Sequence, residues 1–299
     1  MRLRLYENHR FVLYAPFYAA YAVGAYAAER AGRRTLAVTG CRTGRAGPAR
    51  RRGRRALGRA DAGHEAPRRE PNSALVCFAE VVRRDPFSIV GQYPNPDLRL
   101  CDLAKMRLAT GCEVPTPWLC LQADLWQAGI DPALDRIADR SMAENLNALS
   151  EGRLEAAQFF EPVVEEALAS GRVTCGTRRA HVAVPLARFR NTRDRFVRDA
   201  EPLLSMVRAI QRTQQWIYSR SAPEIAETIS SFFPALDRGV LAAALARYQA
   251  QSVWGRDPVL PENGFDCLRR LRRFGRVHPS ADAYAACVDN RLALQVLTE

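Results

Sequence analysis

Lysine is nearly missing. Lys105 is the single one among 44 basic residues in a chain of 299. Histidine is almost as scarce, with only His9, His64, His181 and His278. Chemistry that needs a Schiff-base lysine or a histidine general base therefore has very few residues to draw on. The eight cysteines include no CxxC pair and no zinc-ligand spacing, so buried thiols are the expectation rather than a metal or redox centre. Neither a G-x-S-x-G word nor a Walker A word occurs. No run of about 18 apolar residues is present, which argues against a transmembrane helix. The basic and then apolar start, MRLRLYENHRFVLYAPFYAAYAVGAYAAERAG, is broken early by Glu7, Asn8, His9 and Arg10. It reads as a strand and a helix of the mature fold, not as a signal peptide.

What is present in excess is arginine, and it is local. The formal net charge is +12. Residues 33–70 carry twelve arginines against Asp61, Glu65 and Glu70, and residues 171–195 carry seven against Asp194. These two segments exceed the whole excess, so the remaining chain is slightly acidic. That distribution does not support a general nucleic-acid-binding surface.

The rest of the chain has the length and apolar content, 47%, for one large domain or two lobes. Leu3 to Tyr6 alternates as a strand, Asn8 to Tyr14 reads as a loop, and Pro16 opens a helix. ALVCFAEVV from Ala74 and the PFSIVGQ that follows read as strands. Met106 to Thr110 has a buried-strand look, Gly111 to Glu113 reads as a turn, and helical spacing runs from Trp118. Thr116 suits an N-cap and Pro117 a first helical position. Gly129 and Pro132 end that helix. Ser141 with Glu144 makes a capping box. Leu154 to Phe160 reads as a buried strand, with Glu161–Pro162 opening the next helix. From about Arg195 onward the chain is helical. Strands alternating with helices imply an α/β fold with a mostly parallel sheet.

Six words in this order resemble the substrate-binding proteins of ABC importers of the SsuA and ThiY type. That family serves nitrate, sulfonates and thiamine-pyrimidine precursors. The words are RFVLYAPFYAAYAVGAY, ALVCFAEVVRRDPFSIVGQ, MRLATGCEVPTPWLCLQADL, FFEPVVEEALASG, RAIQRTQQWIY and ACVDNRL. The fungal thiamine-pyrimidine-precursor synthase is a relative. The resemblance implies a periplasmic-binding-protein-like type II fold, two lobes with a ligand cleft between them. Residues 1–97 plus 196–299 would form lobe one and 98–195 lobe two. It further implies a small-molecule ligand and an ABC permease partner, with no nucleic acid and no direct membrane insertion. The family acts outside the cytoplasmic membrane, while this start carries no export signal, so a cytoplasmic role also stays open.

The Arg-rich segments fit displaced reading frames. A coding string for the Trp-Gly-Gly-Pro-Met-Arg word that the resembled proteins carry after their second strand gives Gly58 to Pro67 when read out of frame. Gly171 to Ala180 and Phe274 to Pro279 recode in the same direction. On that reading residues 33–70 and 171–195 are irregular, a central strand within 42–57 is excluded, and binding is impaired. The alternative is a genuine basic insertion, which would normally mix Lys with Arg along a helix face.

A cleft for a small planar ligand needs apolar or aromatic walls and a few fixed polar groups. Asn8, Phe11, Tyr14 and Phe17 stand around the first strand-to-helix junction. Pro115, Thr116 and Trp118 stand at the corresponding junction of the second lobe. Glu161 follows a strand and falls again at a carboxyl end. Phe17 also suits a core position, and Glu161 also suits a favourable charge at a helix start. The expected function is solute binding without a cofactor. The competing reading is a synthase-like enzyme using pyridoxal phosphate. It is disfavoured because the relative's cysteine-rich run is absent and Lys105 precedes its strand, away from the expected cleft.

Overall fold

A computed structural model supplies the coordinates. It describes residues 5–6, 10–29, 55–59, 75–93, 95, 98–171, 174–175, 183–274 and 284–299. Its strands are β1 (Leu5–Tyr6), β2 (Arg55–Arg59), β3 (Leu75–Arg84), β4 (Ser88–Gly91), β5 (Leu108–Thr110), β6 (Arg136–Ile137), β7 (Ala156–Phe159), β8 (Thr174–Cys175) and β9 (Ala183–Thr192). They form two sheets, one in the order β1-β2-β9-β3 and the other in the order β6-β5-β7-β4-β8.

Both sheets are mixed rather than mostly parallel. β1 runs parallel to β2, and β5 runs parallel to β6 and β7. β9 is antiparallel to β2 and β3, and β4 is antiparallel to β7 and β8. β4 follows β3 after residues 85–87, passing from one sheet to the other without a crossover helix to reverse it. β4 already belongs to the second sheet and β9 already to the first. The chain thus passes between the two sheets ahead of Ser88 and again ahead of Ala183.

The described parts of the Arg-rich text include two strands, β2 and β9. β2 lies inside the segment expected to be irregular, and it is an inner strand between β1 and β9. Only its first three residues, 55–57, fall in the window from which a central strand was excluded, so it corrects the expected irregularity at 55–59 alone. Residues 40–54 and 60–70 lie outside the described residues. The second segment is corrected more fully: β9 spans ten residues and leads into a helix, Arg193–Arg198. The physical reason is tertiary. Arg188 is buried, its Nε donates to Cys77 Sγ at 2.7 Å, and it stands opposite buried Glu80 across the β3–β9 ladder. A local reading sees an arginine-rich run, but its compensating partners lie on β3.

β3 is buried on both faces from Val76 to Val82, which explains its continuous rather than alternating apolar run. The helix Ala200–Ser219 buries Leu203, Leu204, Val207, Ile210 and Ile217 along one stripe, against the helix Ala15–Ala22 and β3. The principal core cluster continues through both lobes, from Val12 and Phe17 to Ala109, Phe159 and Val164. A second cluster, built on Ile89, Leu108, Leu121 and Leu125, lies on the other face of the second sheet. The thiols do not all follow the expectation. Cys77, Cys120 and Cys287 are buried, but Cys101 and Cys112 are exposed. Among the described residues no helix is long and apolar enough to cross a membrane, and no group of side chains could hold a metal ion.

Candidate functional site

Four chain junctions converge on one pocket. The turn after β1 brings Phe11, Leu13 and Tyr14. The crossing from β3 to β4 brings Phe87, the loop after β5 brings Val114 and Thr116, and the end of β7 brings Phe160. β1, β5 and β7 deliver these residues at their carboxyl ends, where an α/β fold leaves backbone N–H groups facing a crevice.

The walls touch each other. Phe11 and Phe160 meet edge to face at 5.0 Å, and Phe87 meets Phe160 at 5.6 Å. Only about 30 Å³ of solvent space remains between them. That is room for a water or two, not for an organic ligand. Among the described residues, Thr116 and Tyr14 are the lining residues that carry a hydroxyl, and none of the lining side chains is charged.

The structure divides the sequence-predicted residues. Phe11, Tyr14 and Thr116 line the pocket. Asn8 lies outside the described residues. Phe17 is completely buried, edge-on to Tyr14 at 6.1 Å and to Phe189 at 5.1 Å, so it backs the wall rather than forming it. Pro115 is exposed as the N-cap of the helix Thr116–Gln127, and no side chain caps that helix. Thr116 is therefore its first residue rather than its cap.

Trp118 points elsewhere. It packs on the second cluster with Met106 and Leu134, and the Arg136 guanidinium lies over its ring at 4.3 Å. Thr116 and Trp118, two residues apart, point to opposite faces of the helix, about half a turn from each other, and the ring takes the outer one. Trp118→Ala should therefore lower stability by about 1–2 kcal/mol, through lost burial and the lost cation–π contact. Ligand affinity should stay the same. A drop in affinity without a drop in melting temperature would return Trp118 to the pocket.

Glu161 stands beside Phe160, at the strand end where it was expected, but its carboxylate faces lobe one. Arg247 Nε, on the helix Arg238–Ala250, is 2.8 Å from Glu161 Oε1 and donates to Glu165 Oε1. Glu161 is completely buried. Burial pushes its carboxyl up to about 7, with Glu165 adding to the rise and Arg247 opposing it. Glu80, buried in β3, is likewise pushed up to about 7 by burial against the pull of Arg83.

These two carboxyls set a pH dependence. A carboxyl whose folded value is raised stabilises the fold most below its ordinary value near 4.5, and that contribution is lost as pH rises through about 7. Carboxylates held low, such as Glu144 beside Ser141, act only below that window. The melting temperature should fall between these two pH values, and Glu161→Gln should remove part of the fall. A melting temperature that rises across the window would contradict this account.

Lys105 is exposed at the end of a short helix, Leu100–Lys105, and precedes the amino end of β5. The pocket is at the other end of that strand.

Leu13, Phe87, Val114 and Phe160 were not singled out from the sequence. A usable signal existed for two of them. Phe87 and Phe160 are the aromatic residues at the ends of predicted strands, beside Pro86 and Glu161–Pro162.

No protein-family model matches the chain. It is 26% identical over 174 residues to YtlA of Bacillus subtilis strain 168, a protein described provisionally as a binding protein. That match covers 57% of this chain and 52% of YtlA, so the chain spans about half the length of the curated relative it matches. Solved structures match over nearly the whole length. The alkanesulfonate-binding protein SsuA of Xanthomonas axonopodis pv. citri, bound to MOPS, superposes with a TM-score of 0.69 at 13% identity, covering 97% of this chain and 98% of that one. The periplasmic aliphatic sulphonate binding protein SsuA of Escherichia coli gives 0.70 at 14%, covering 97% and 92%. The periplasmic nitrate-binding protein NrtA of Synechocystis PCC 6803 gives 0.64 at 12%, covering 99% and 88%. At these identities the likeness is one of architecture: the chain has the two-lobed α/β fold of the type II periplasmic binding proteins.

Proposed function

We propose that the chain is a solute-binding protein whose ligand is a small planar ring of the pyrimidine type, taken between the lobes at the pocket of Phe11, Tyr14, Phe87, Thr116 and Phe160. The observation that carries this reading is the wall itself: among the described residues it is made of aromatic side chains from both lobes and two hydroxyl-bearing residues, with no charged one. A flat heteroaromatic ring can replace the Phe11–Phe160 contact with stacking on either side and can hydrogen-bond at its rim. A sulfonate or nitrate would need charge-assisted donors. Here it would find chiefly the N–H groups at the head of the helix Thr116–Gln127, where Pro117 supplies none.

Because the pocket is nearly filled by its own rings, admission requires the lobes to part and then to close on the ligand. The fold supports an extracytoplasmic partner of the ABC permease type as the delivery target. An enzyme of the pyridoxal-phosphate class is disfavoured by the place of Lys105.

The test is thermal shift and tryptophan fluorescence against hydroxymethylpyrimidine, a short alkanesulfonate and nitrate. The pyrimidine should raise the melting temperature by mass action. Phe11→Ala and Phe160→Ala should each weaken its binding by about 1–3 kcal/mol. Stabilisation by the sulfonate or nitrate, with none by the pyrimidine, would overturn the ligand assignment.

A further inference from the structure

We propose that Arg247 is a positioning residue for this pocket: carried by a lobe-one helix, it grips two carboxylates at the head of a lobe-two helix and so fixes where Phe160 stands. The inference rests on the pocket reading above, but its geometry lies outside the pocket. Arg247 belongs to the helix Arg238–Ala250, which packs on the helix Ala222–Ile229 of lobe one. Glu161 and Glu165 bracket the start of the helix Val163–Ala169, which follows β7 of lobe two. Arg247 Nε sits 2.8 Å from Glu161 Oε1, and both Nε and Nη2 donate to Glu165 Oε1.

The neighbouring residue repeats the grip through the backbone. The Glu161 N–H donates to the Tyr248 hydroxyl at 3.1 Å. Glu161 Oε2 in turn accepts from the Glu165 N–H at 3.1 Å, so the two carboxylates and the helix start move as one unit. Phe160, one residue before Glu161, is the ring that meets both Phe11 and Phe87.

The same lobe-one segment also holds the opposite wall. Tyr248 is edge-on to Trp254 at 5.6 Å, and Trp254 Nε1 donates to the carbonyl of pocket-lining Leu13 at 2.9 Å. Leu13 and Phe160 therefore hang from one support. Its attachment to Leu13 lies within lobe one, whereas its attachment to Phe160 crosses between lobes. Releasing the Arg247 grip leaves the lobe-two wall held by the Tyr248 hydroxyl alone and the Leu13 side unchanged, so it loosens the attachment between lobes and favours the open form.

The experiment uses the full chain with Arg247→Met, Arg247→Lys and Glu165→Gln. Small-angle scattering without ligand should show a larger radius of gyration for Arg247→Met than for wild type. Arg247→Lys should return to the wild-type radius because it restores the cation between the carboxylates. Titration with hydroxymethylpyrimidine should show at least a roughly tenfold affinity loss for Arg247→Met and recovery to within about threefold for Arg247→Lys. If Arg247→Met does not fold, Glu165→Gln carries the scattering comparison and should expand in the same direction. Unchanged radii in every folded variant would overturn the proposal. If the wild type binds no pyrimidine, the ligand reading fails by itself, and the ligand-free scattering still decides the role of Arg247.

Discussion

Trp254→Ala should destabilise the chain by about 3–5 kcal/mol, the cost of emptying a large aromatic site in a packed core. The ring is 1% exposed and is the largest fully buried side chain. It is held from several sides. Its backbone bridges Val82 of β3, its carbonyl accepts from the Tyr218 hydroxyl at 2.8 Å, and its indole N–H reaches Leu13 O at 2.9 Å. Trp254→Phe separates packing from hydrogen bonding. It keeps most of the apolar volume and strands the buried Leu13 carbonyl, so its cost should be about 1–3 kcal/mol. Equilibrium unfolding in urea, with the slope m unchanged, measures both. A loss below about 1 kcal/mol for the alanine variant would mean that the site collapses without a cavity, and the central place given to Trp254 would be wrong.

The parts of the chain that were legible in the sequence are those whose causes are local. Ser141 and Glu144 form the expected capping box, with the Glu144 N–H donating to Ser141 Oγ and the Ser141 N–H donating to the Glu144 carboxylate at 2.7 Å. Gly129 takes a positive φ of 73° where the helix was expected to stop. The strand-to-helix junctions were legible as well, and three of the residues read from them meet at the pocket.

What failed depended on partners far away in the chain. Glu161 was placed correctly at a strand end, but only the fold reveals that its carboxylate belongs to Arg247. Trp118 sits on the junction helix as expected, yet which face its ring takes is decided by Arg136 and the leucines behind the second sheet. β9 was unreadable because an arginine in a central strand is stable only when a specific acid or thiol faces it. Both Glu80 and Cys77 lie on a strand more than a hundred residues earlier.

Arg83→Met should cost about 3–5 kcal/mol above neutral pH, because it breaks one side of a buried ionic cluster while leaving the other charged. Arg83 Nε is 2.6 Å from Glu80 Oε2, and its two terminal nitrogens hold Asp257 in a fork at 3.0 and 3.1 Å. It also donates to Val259 O at 3.0 Å, so it fastens the 257–259 loop to β3. Glu80 is completely buried, whereas Asp257 keeps a third of its side chain in solvent. The penalty is therefore concentrated on Glu80. Burial already holds that carboxyl near 7 with Arg83 present. Without the guanidinium it rises further, and the protonated acid no longer needs a cation. The loss in Arg83→Met should thus be smaller at acidic pH than above 7, and Glu80→Gln combined with Arg83→Met should recover a measurable part of the single-variant loss. Chemical unfolding of the four proteins of this cycle at two pH values gives the coupling directly. Equal losses at both pH values, with strictly additive effects in the double variant, would show that Arg83 acts through packing of its stem and not through its charge.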